Sequence, residues 1–389
     1  MFIIPLFSAS VNHKFIFRNF SKISLKKEND CATMDIYFKT LAKMHLLHIR
    51  KRERIMPTIK DIAEHLGIAV STVSKGLNGA SDISEETRQL VLDTAVEMGY
   101  ASKKIRSRTT TKVCVFIEDR NMDYETIDQF GYEIVMGFKL GAASRNWEVT
   151  VIPSNLTMQT TEKYDSYMLR HGFAGAFLLG FTLHDDWIRQ LNKTTVPTVL
   201  LDNYIANNHH VGYVGTDSSE GIGHAVDHLV AMGHQRIAFL NGSKNSMVSE
   251  ERNLAFYQHM RENGIEPDEN LVAYGYYVPD CAKSHVPTFV EHGATAIVCA
   301  SDMIASGVIA ELNRMNLKVP DDISVIGYDD LPVAAQLTPK LTTIRQDRYD
   351  LGKSAVLMLD GLIRGVGLSK MLLRAKFISR ESTKRLDEK

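Results

Sequence analysis

Residues 58–79 read TIKDIAEHLGIAVSTVSKGLNG, and this stretch decides the architecture of the amino-terminal part of the chain. Thr58 and Asp61 have the spacing of a capping box, in which the hydroxyl accepts from the helix start and the carboxylate reaches back. Ile59, Ile62, Ala63 and Leu66 then fall on one helical face, and Gly67 supplies the left-handed residue that ends the helix. A second helix is predicted from about Val70, burying Val73 and Leu77 four residues apart. A third begins at Ser84, with Glu85 and Glu86 in its positive first turn, Val91, Ala95 and Met98 on one face, and a stop at Gly99.

Three short helices with a tight turn between the first two make a helix-turn-helix headpiece over residues 56–100. Ser71, Thr72, Ser74 and Lys75 lie off the buried face of the second helix. Short polar side chains near the start of a helix in the major groove reach base edges, and a lysine donates to guanine O6 and N7. The plain alternative is a small bundle with a solvated face.

The motif reaches further than the helices. TIKDIAEHLGIAVSTVSKGLNG followed by ISEETRQLVLDTAVEMGY resembles the headpiece of the lactose-repressor (LacI/GalR) family along its whole length. The resemblance implies that Val70 and Ser71 select bases, and that Thr72, Ser74, Lys75 and Asn78 contact the groove or the phosphates. Thr58 joins them as a candidate DNA-binding residue. The chain departs from the pattern in three places. Ala69 stands where a capping serine is usual, at a cost of about 1 kcal/mol. Lys75 replaces an arginine and gives up its two-pronged contact. Gly76 sits inside the helix, at about 1 kcal/mol against alanine.

Residues 101–112, ASKKIRSRTTTK, form a basic linker without an acid. Lys103, Lys104 and Arg106 are expected to follow the phosphate backbone and to make affinity steeply salt-dependent; a solvated tether is the alternative. The family's linker starts Pro-Asn and carries a leucine that wedges into the minor groove. Here the segment is shorter, lacks the proline and has threonines where the leucine falls, with Ile105 its one large apolar side chain. Binding without a leucine kink is therefore expected.

From Val113 strand-like runs alternate with helical patterns: VCVFIED, GYEIVMGFKLGAASRN, WEVTVIPS, AGAFLLG and PTVLLDN. The same order recurs after Arg236, through RIAFLNG, TAIVCASD, ASGVIAELNRMN and ISVIGYDD. Such alternation predicts α/β lobes with parallel sheets, and its recurrence predicts two of them across residues 113–380. The fold class is thus α/β, a small all-α headpiece joined to a two-lobed domain. The latter resembles the periplasmic-binding-protein-like effector domain of lactose-repressor relatives, most specifically in PDDISVIGYDDLPVAAQLTPKLTTIRQD.

In open α/β sheets ligands sit beyond the carboxyl ends of the strands. Those ends are polar here: Asp119, Asp202 and Asn203, Asn241, Asp302 and Asp329. They suit a ligand rich in hydroxyls, although such residues also cap the following helix. The resemblance implies effector contacts at Arg252, Asp302 and Asp329, and at Ser301, a position often held by asparagine. Phe130 or Tyr132 offers a ring face to a sugar.

The remaining signals bound the function. The formal net charge of −1 over 389 residues says nothing of a local basic patch. Cys31, Cys114, Cys281 and Cys299 lack metal or redox spacing and read as free thiols of a reducing compartment. No run reaches the roughly 18–20 apolar residues of a membrane span. Residues 1–55 lack sustained periodicity and are expected to be a disordered extension or an over-extended reading frame, and residues 381–389 a polar tail. GIGHAV at Gly221 lacks the third glycine of a dinucleotide turn, and His224 with His228 has no third metal ligand, so no cofactor, metal or enzyme chemistry is expected. The reading is a cytoplasmic homodimeric regulator, most simply a repressor. It binds double-stranded DNA at a pseudo-palindrome and a small effector, a sugar or sugar derivative, with no membrane. A secreted solute-binding protein is the alternative that the large domain alone would permit.

Overall fold

The structure, a computed structural model, describes residues 57–100, 110–118, 124–244 and 246–386. The extension 1–55 lies outside the described residues, as do Lys103, Lys104, Ile105, Arg106 and Asp119. In the headpiece, α1 spans Ile59–Leu66, α2 Val70–Asn78 and α3 Glu85–Glu97. The capping box is formed, with Thr58 N donating to Asp61 at 2.6 Å and Asp61 N donating to the Thr58 hydroxyl at 3.3 Å. Ala69 leaves α2 without a side-chain cap, whereas Ser84 caps α3 by accepting from Thr87 N. Ile62, Ala63, Val73, Val91 and Ala95 make the small core, with Leu169 from the large domain packed against it.

Gly76 has a reason in this core. A Cβ there would stand 3.0 Å from both Cβ and Cγ1 of Val91 and 3.2 Å from Cγ2. The helices approach closely enough that a methyl group on α2 would press Val91 out of its place by a few tenths of an ångström.

Lobe 1 begins with β1 (Thr111–Glu118), α4 (Phe130–Ala143), β2 (Trp147–Ser154), α5 (Leu156–Thr161), α6 (Tyr164–His171) and β3 (Ala176–Leu179). It continues through α7 (Asp186–Gln190), β4 (Thr198–Leu201) and β5 (Val211–Thr216). Lobe 2 follows as α8 (Ser218–Ala231), β6 (Ile237–Asn241), α9 (Met247–Glu262), β7 (Val272–Tyr274), α10 (Ala282–Glu291) and β8 (Ala296–Cys299). It then runs through α11 (Asp302–Arg314), β9 (Ser324–Asp329), α12 (Pro332–Gln336) and β10 (Thr342–Arg345). The chain returns to lobe 1 with α13 (Arg348–Ile363) and β11 (Lys370–Leu373), and to lobe 2 with β12 (Lys376–Ile378).

Each lobe has a six-stranded sheet, ordered β11-β5-β4-β3-β1-β2 and β12-β10-β9-β8-β6-β7. All pairings are parallel except β10 with β12. Buried on both faces, the central strands read as continuous apolar runs, as in AFLL of β3 and AIVC of β8. One core of lobe 1 joins Val113, Phe138 and Phe177 to Leu351, Val356 and Leu359 of the returning α13. Three segments therefore connect the lobes: β5 to α8, β10 to α13, and β11 to β12.

The sequence reading placed both lobes but missed β5, β7, β10, β11 and β12. Three of these, β7, β11 and β12, are edge strands; β10 is only four residues long, and β5 reads VGYVGT, with two glycines diluting its pattern. Of the segment read as a polar tail, the described residues 381–386 pack on lobe 2. Ser382 is fully buried, donating to the Val325 carbonyl at 2.6 Å and accepting from Thr342 N at 2.8 Å.

Gly76→Ala is expected to destabilise the headpiece despite alanine's helix preference of about 1 kcal/mol, because overpacking costs typically 1–3 kcal/mol. In a Val91→Ala background the same change should become stabilising. Native-state hydrogen exchange across α2 in the four variants checks the reversal.

Candidate functional site

Two surfaces carry the chemistry. On the headpiece, Val70 is 48% exposed and Ser71 lies beside it, open to solvent at the start of α2. An apolar side chain at the start of a helix laid in the major groove can contact a thymine methyl. Thr72 and Ser74 are half-buried. Asn78 donates from Nδ2 to the Ser74 carbonyl at 2.7 Å, within its own helix. Lys75, expected to be free for DNA, pairs instead with Asp82 of the α2–α3 loop. Both groups are about half exposed, so the pair is weak and opens readily.

The second surface is a cavity of about 580 Å³ between the lobes. Phe130, Phe181, Thr182, Asp202 and Asn203 line it from lobe 1. Arg252, Tyr277, Ser301, Asp329 and Gln346 line it from the other side. Nearly all follow the carboxyl ends of strands, where the parallel topology opens a crevice. Tyr276, also on the lining, is 77% exposed at the mouth.

Its electrostatic centre is Arg252. The guanidinium is buried, lies 3.9 Å from the centroid of the Tyr328 ring and donates from Nη1 to the Ala300 carbonyl at 2.6 Å. Two carboxylates share its field. Burial pushes Asp202 up to about 7, against the pull of Arg252. Burial likewise raises Asp329 to about 6, opposed by Arg252 and by the hydrogen bond from Gln346 Nε2 at 2.7 Å. Asn203 donates to the Phe181 carbonyl and so fixes the loop that carries Thr182. Ser301 faces the cavity while its hydroxyl accepts from Ile304 N at 3.1 Å, capping α11.

Asp302 and Tyr132 differ from expectation. Asp302 does not line the cavity; its oxygens accept from Leu331 N at 2.7 Å and the Thr343 hydroxyl at 2.6 Å, behind the wall. Burial first, then neighbouring Asp329, holds its carboxyl well above the ordinary range. It braces the loop after β9 rather than facing a ligand. Tyr132 is half-buried on α4 away from the lining, and Phe130 supplies the ring. Asn241 is also turned inward, donating to the Ser249 carbonyl and accepting from Gly242 N. Gln346 escaped sequence reasoning although it lies within the most specific segment. Tyr276 and Tyr277 carry no strand or helix pattern to mark them. His228, one of the two histidines spaced for a metal, packs on Phe377 and hydrogen-bonds Thr383.

Residues 58–103 match the profile of bacterial regulatory proteins of the lacI family, and residues 226–383 that of a periplasmic binding protein-like domain. The chain belongs to the LacI family. Among its relatives is the HTH-type transcriptional repressor CytR of Escherichia coli strain K12, 27% identical over 344 residues, covering 86% of this chain and 99% of CytR. The HTH-type transcriptional regulator RegA of Clostridium saccharobutylicum is 28% identical over 84% of this chain and 99% of RegA. Among solved structures, the transcriptional regulator CelR–cellobiose complex superposes with a TM-score of 0.63 at 25% identity, over 84% of this chain and 99% of that one. The lac repressor dimer bound to operator and an anti-inducer gives 0.60 at 25%, over 85% and 99%. This LacI-family chain is thus a DNA-binding transcriptional regulator and not an enzyme. No helix among the described residues is long and apolar enough to cross a membrane.

Stability should depend on Asp202. The folded protein holds a proton on this carboxyl that the unfolded chain has released between about pH 4 and pH 7, so stability falls as pH rises through that window. Asp202→Asn should flatten the fall by on the order of 2 kcal/mol, read from urea midpoints at stepped pH.

Proposed function

We propose that this LacI-family regulator is a cytoplasmic homodimeric repressor. Its two headpieces read the half-sites of a pseudo-palindromic operator, and an uncharged polyhydroxylated effector in the interlobe cavity changes its DNA affinity. The observation that carries the effector class is the donor and acceptor set around Arg252. Asp202 and Asp329 share the field of one guanidinium that is already stacked and hydrogen-bonded, and Asn203 and Gln346 line the same cavity. Sugar hydroxyls donate to the carboxylates and accept from the guanidinium, and Phe130 and Phe181 offer ring faces. CelR, whose complex holds cellobiose, and the lac repressor with its anti-inducer support a ligand at this level of description. DNA reading is assigned to Thr58, Val70, Ser71, Thr72, Ser74, Lys75 and Asn78, with Lys103, Lys104 and Arg106 following the backbone. The assigned organisation is a headpiece at 56–100, a linker at 101–112 and an effector domain at 113–380.

Ligand binding to the ionised form of Asp202 implies that effector affinity rises with pH and levels off above about 7. Thermal unfolding of the whole protein against neutral sugars and nucleosides tests the cavity. A ligand at a hundredfold excess over its dissociation constant should add about 2.7 kcal/mol, and Asp329→Ala should abolish the shift. A shift retained in that variant moves the effector elsewhere.

Lys75→Ala should weaken operator binding roughly ten- to hundredfold while leaving random DNA less affected. Equal losses on both would reduce Lys75 to a phosphate contact.

A further inference from the structure

The third headpiece helix carries an acidic face that a DNA reader cannot turn toward phosphates. Glu85, Asp93 and Glu97 lie along α3, and each meets a cation of lobe 1, either Arg170 of α6 or Lys163, the residue just before it. Arg170 Nη2 stands 2.9 Å from Glu85 and donates to Gln89 Oε1 at 2.7 Å. Lys163 Nζ lies 3.3 Å from Asp93 and 3.9 Å from Glu97. The Ser166 hydroxyl donates to Asp93 at 2.7 Å, and Gln89 Nε2 donates to the same carboxylate oxygen at 3.0 Å. Leu169, between these polar contacts, packs against the headpiece core itself. Complementary charge, a shared hydrogen-bond network and an apolar centre are the parts of a specific interface. Meanwhile Val70, Ser71 and Lys75 remain exposed, so the contact leaves the reading face clear.

We propose that α6 is a docking seat for the headpiece, and that seating α3 there fixes the orientation of the DNA-reading face against lobe 1. A headpiece held only by a flexible linker explores many orientations and loses them on binding a two-part operator. A seated one has lost most of them beforehand. The seat is also joined to the cavity by packed elements. Thr182, on the cavity wall, donates its N–H to Asp185 at 2.6 Å. Asp185 precedes α7, whose Trp187 donates to the Glu162 carbonyl at 2.8 Å and whose Gln190 accepts from Tyr164 N at 2.8 Å, both at the start of α6.

The test uses the full chain without DNA, then with it. Lys163→Glu changes an exposed side chain, and Arg170→Glu is paired with Glu85→Arg as a charge swap. Hydrogen exchange over residues 85–97 should speed up about tenfold in both single variants, with α1 and α2 unchanged, and should recover in the swap. Unchanged exchange in both single variants, or no recovery in a swap that melts like the parent, overturns the seat. For DNA, an operator selected from a random pool by the parent protein is compared with its isolated half-site. The preference for the complete operator should fall about tenfold in Lys163→Glu, with half-site affinity retained; an unchanged preference overturns the orienting role. The DNA arm rests on the function proposed above. A parent protein that selects no sequence refutes that function, while the exchange arm still decides the seat.

Discussion

A guanidinium that has left water needs counter-charges, and the two lobes supply them jointly. Arg252 rises from lobe 2, stacks on Tyr328 of the same lobe, and shares its field with Asp329 and with Asp202 of lobe 1. Desolvating three ionisable groups costs several kcal/mol each unless they compensate one another, and one cation cannot fully compensate two anions. The residual imbalance shows in the raised carboxyls. It is a cost that an inert core would avoid by using apolar side chains, and it suits the cavity to a ligand that donates hydrogen bonds.

Much of this was legible in the chain. The headpiece could be read residue by residue because capping, periodicity and the turn at Gly67 are local signals. The lobes were legible because buried parallel strands are continuous apolar runs. What escaped depends on distant partners. Strand β11 alternates exposed and half-buried residues and exists because β5 is there to pair with it, 157 residues earlier. The glycine at 76 read as a cost to the helix that a close approach would explain, and the packing of α2 on α3 shows the partner, Val91.

Side-chain direction was the least readable property. Asp302 and Asp329 both follow strands and both looked like ligand contacts. One turns behind the wall toward Thr343, and the other faces the cavity beside Gln346. A strand end fixes where a residue is, and its hydrogen-bond partners, drawn from elements tens of residues away, fix where it points. Lys75 shows the same limit on a surface, where a single acid in the next loop redirects it.

The threading of the lobes has a consequence during synthesis. Lobe 1 is begun by residues 111–216, but its core is closed by Leu351, Val356 and Leu359 of α13 and its sheet edge by β11. The ribosome releases chain from the amino end, so an apolar face of the first lobe waits uncovered while more than a hundred residues of the second emerge. Through that interval the nascent regulator presents the kind of surface that chaperones hold and aggregation exploits. Its vulnerability in the cell is thus set by the order of its segments as well as by the stability of its finished fold.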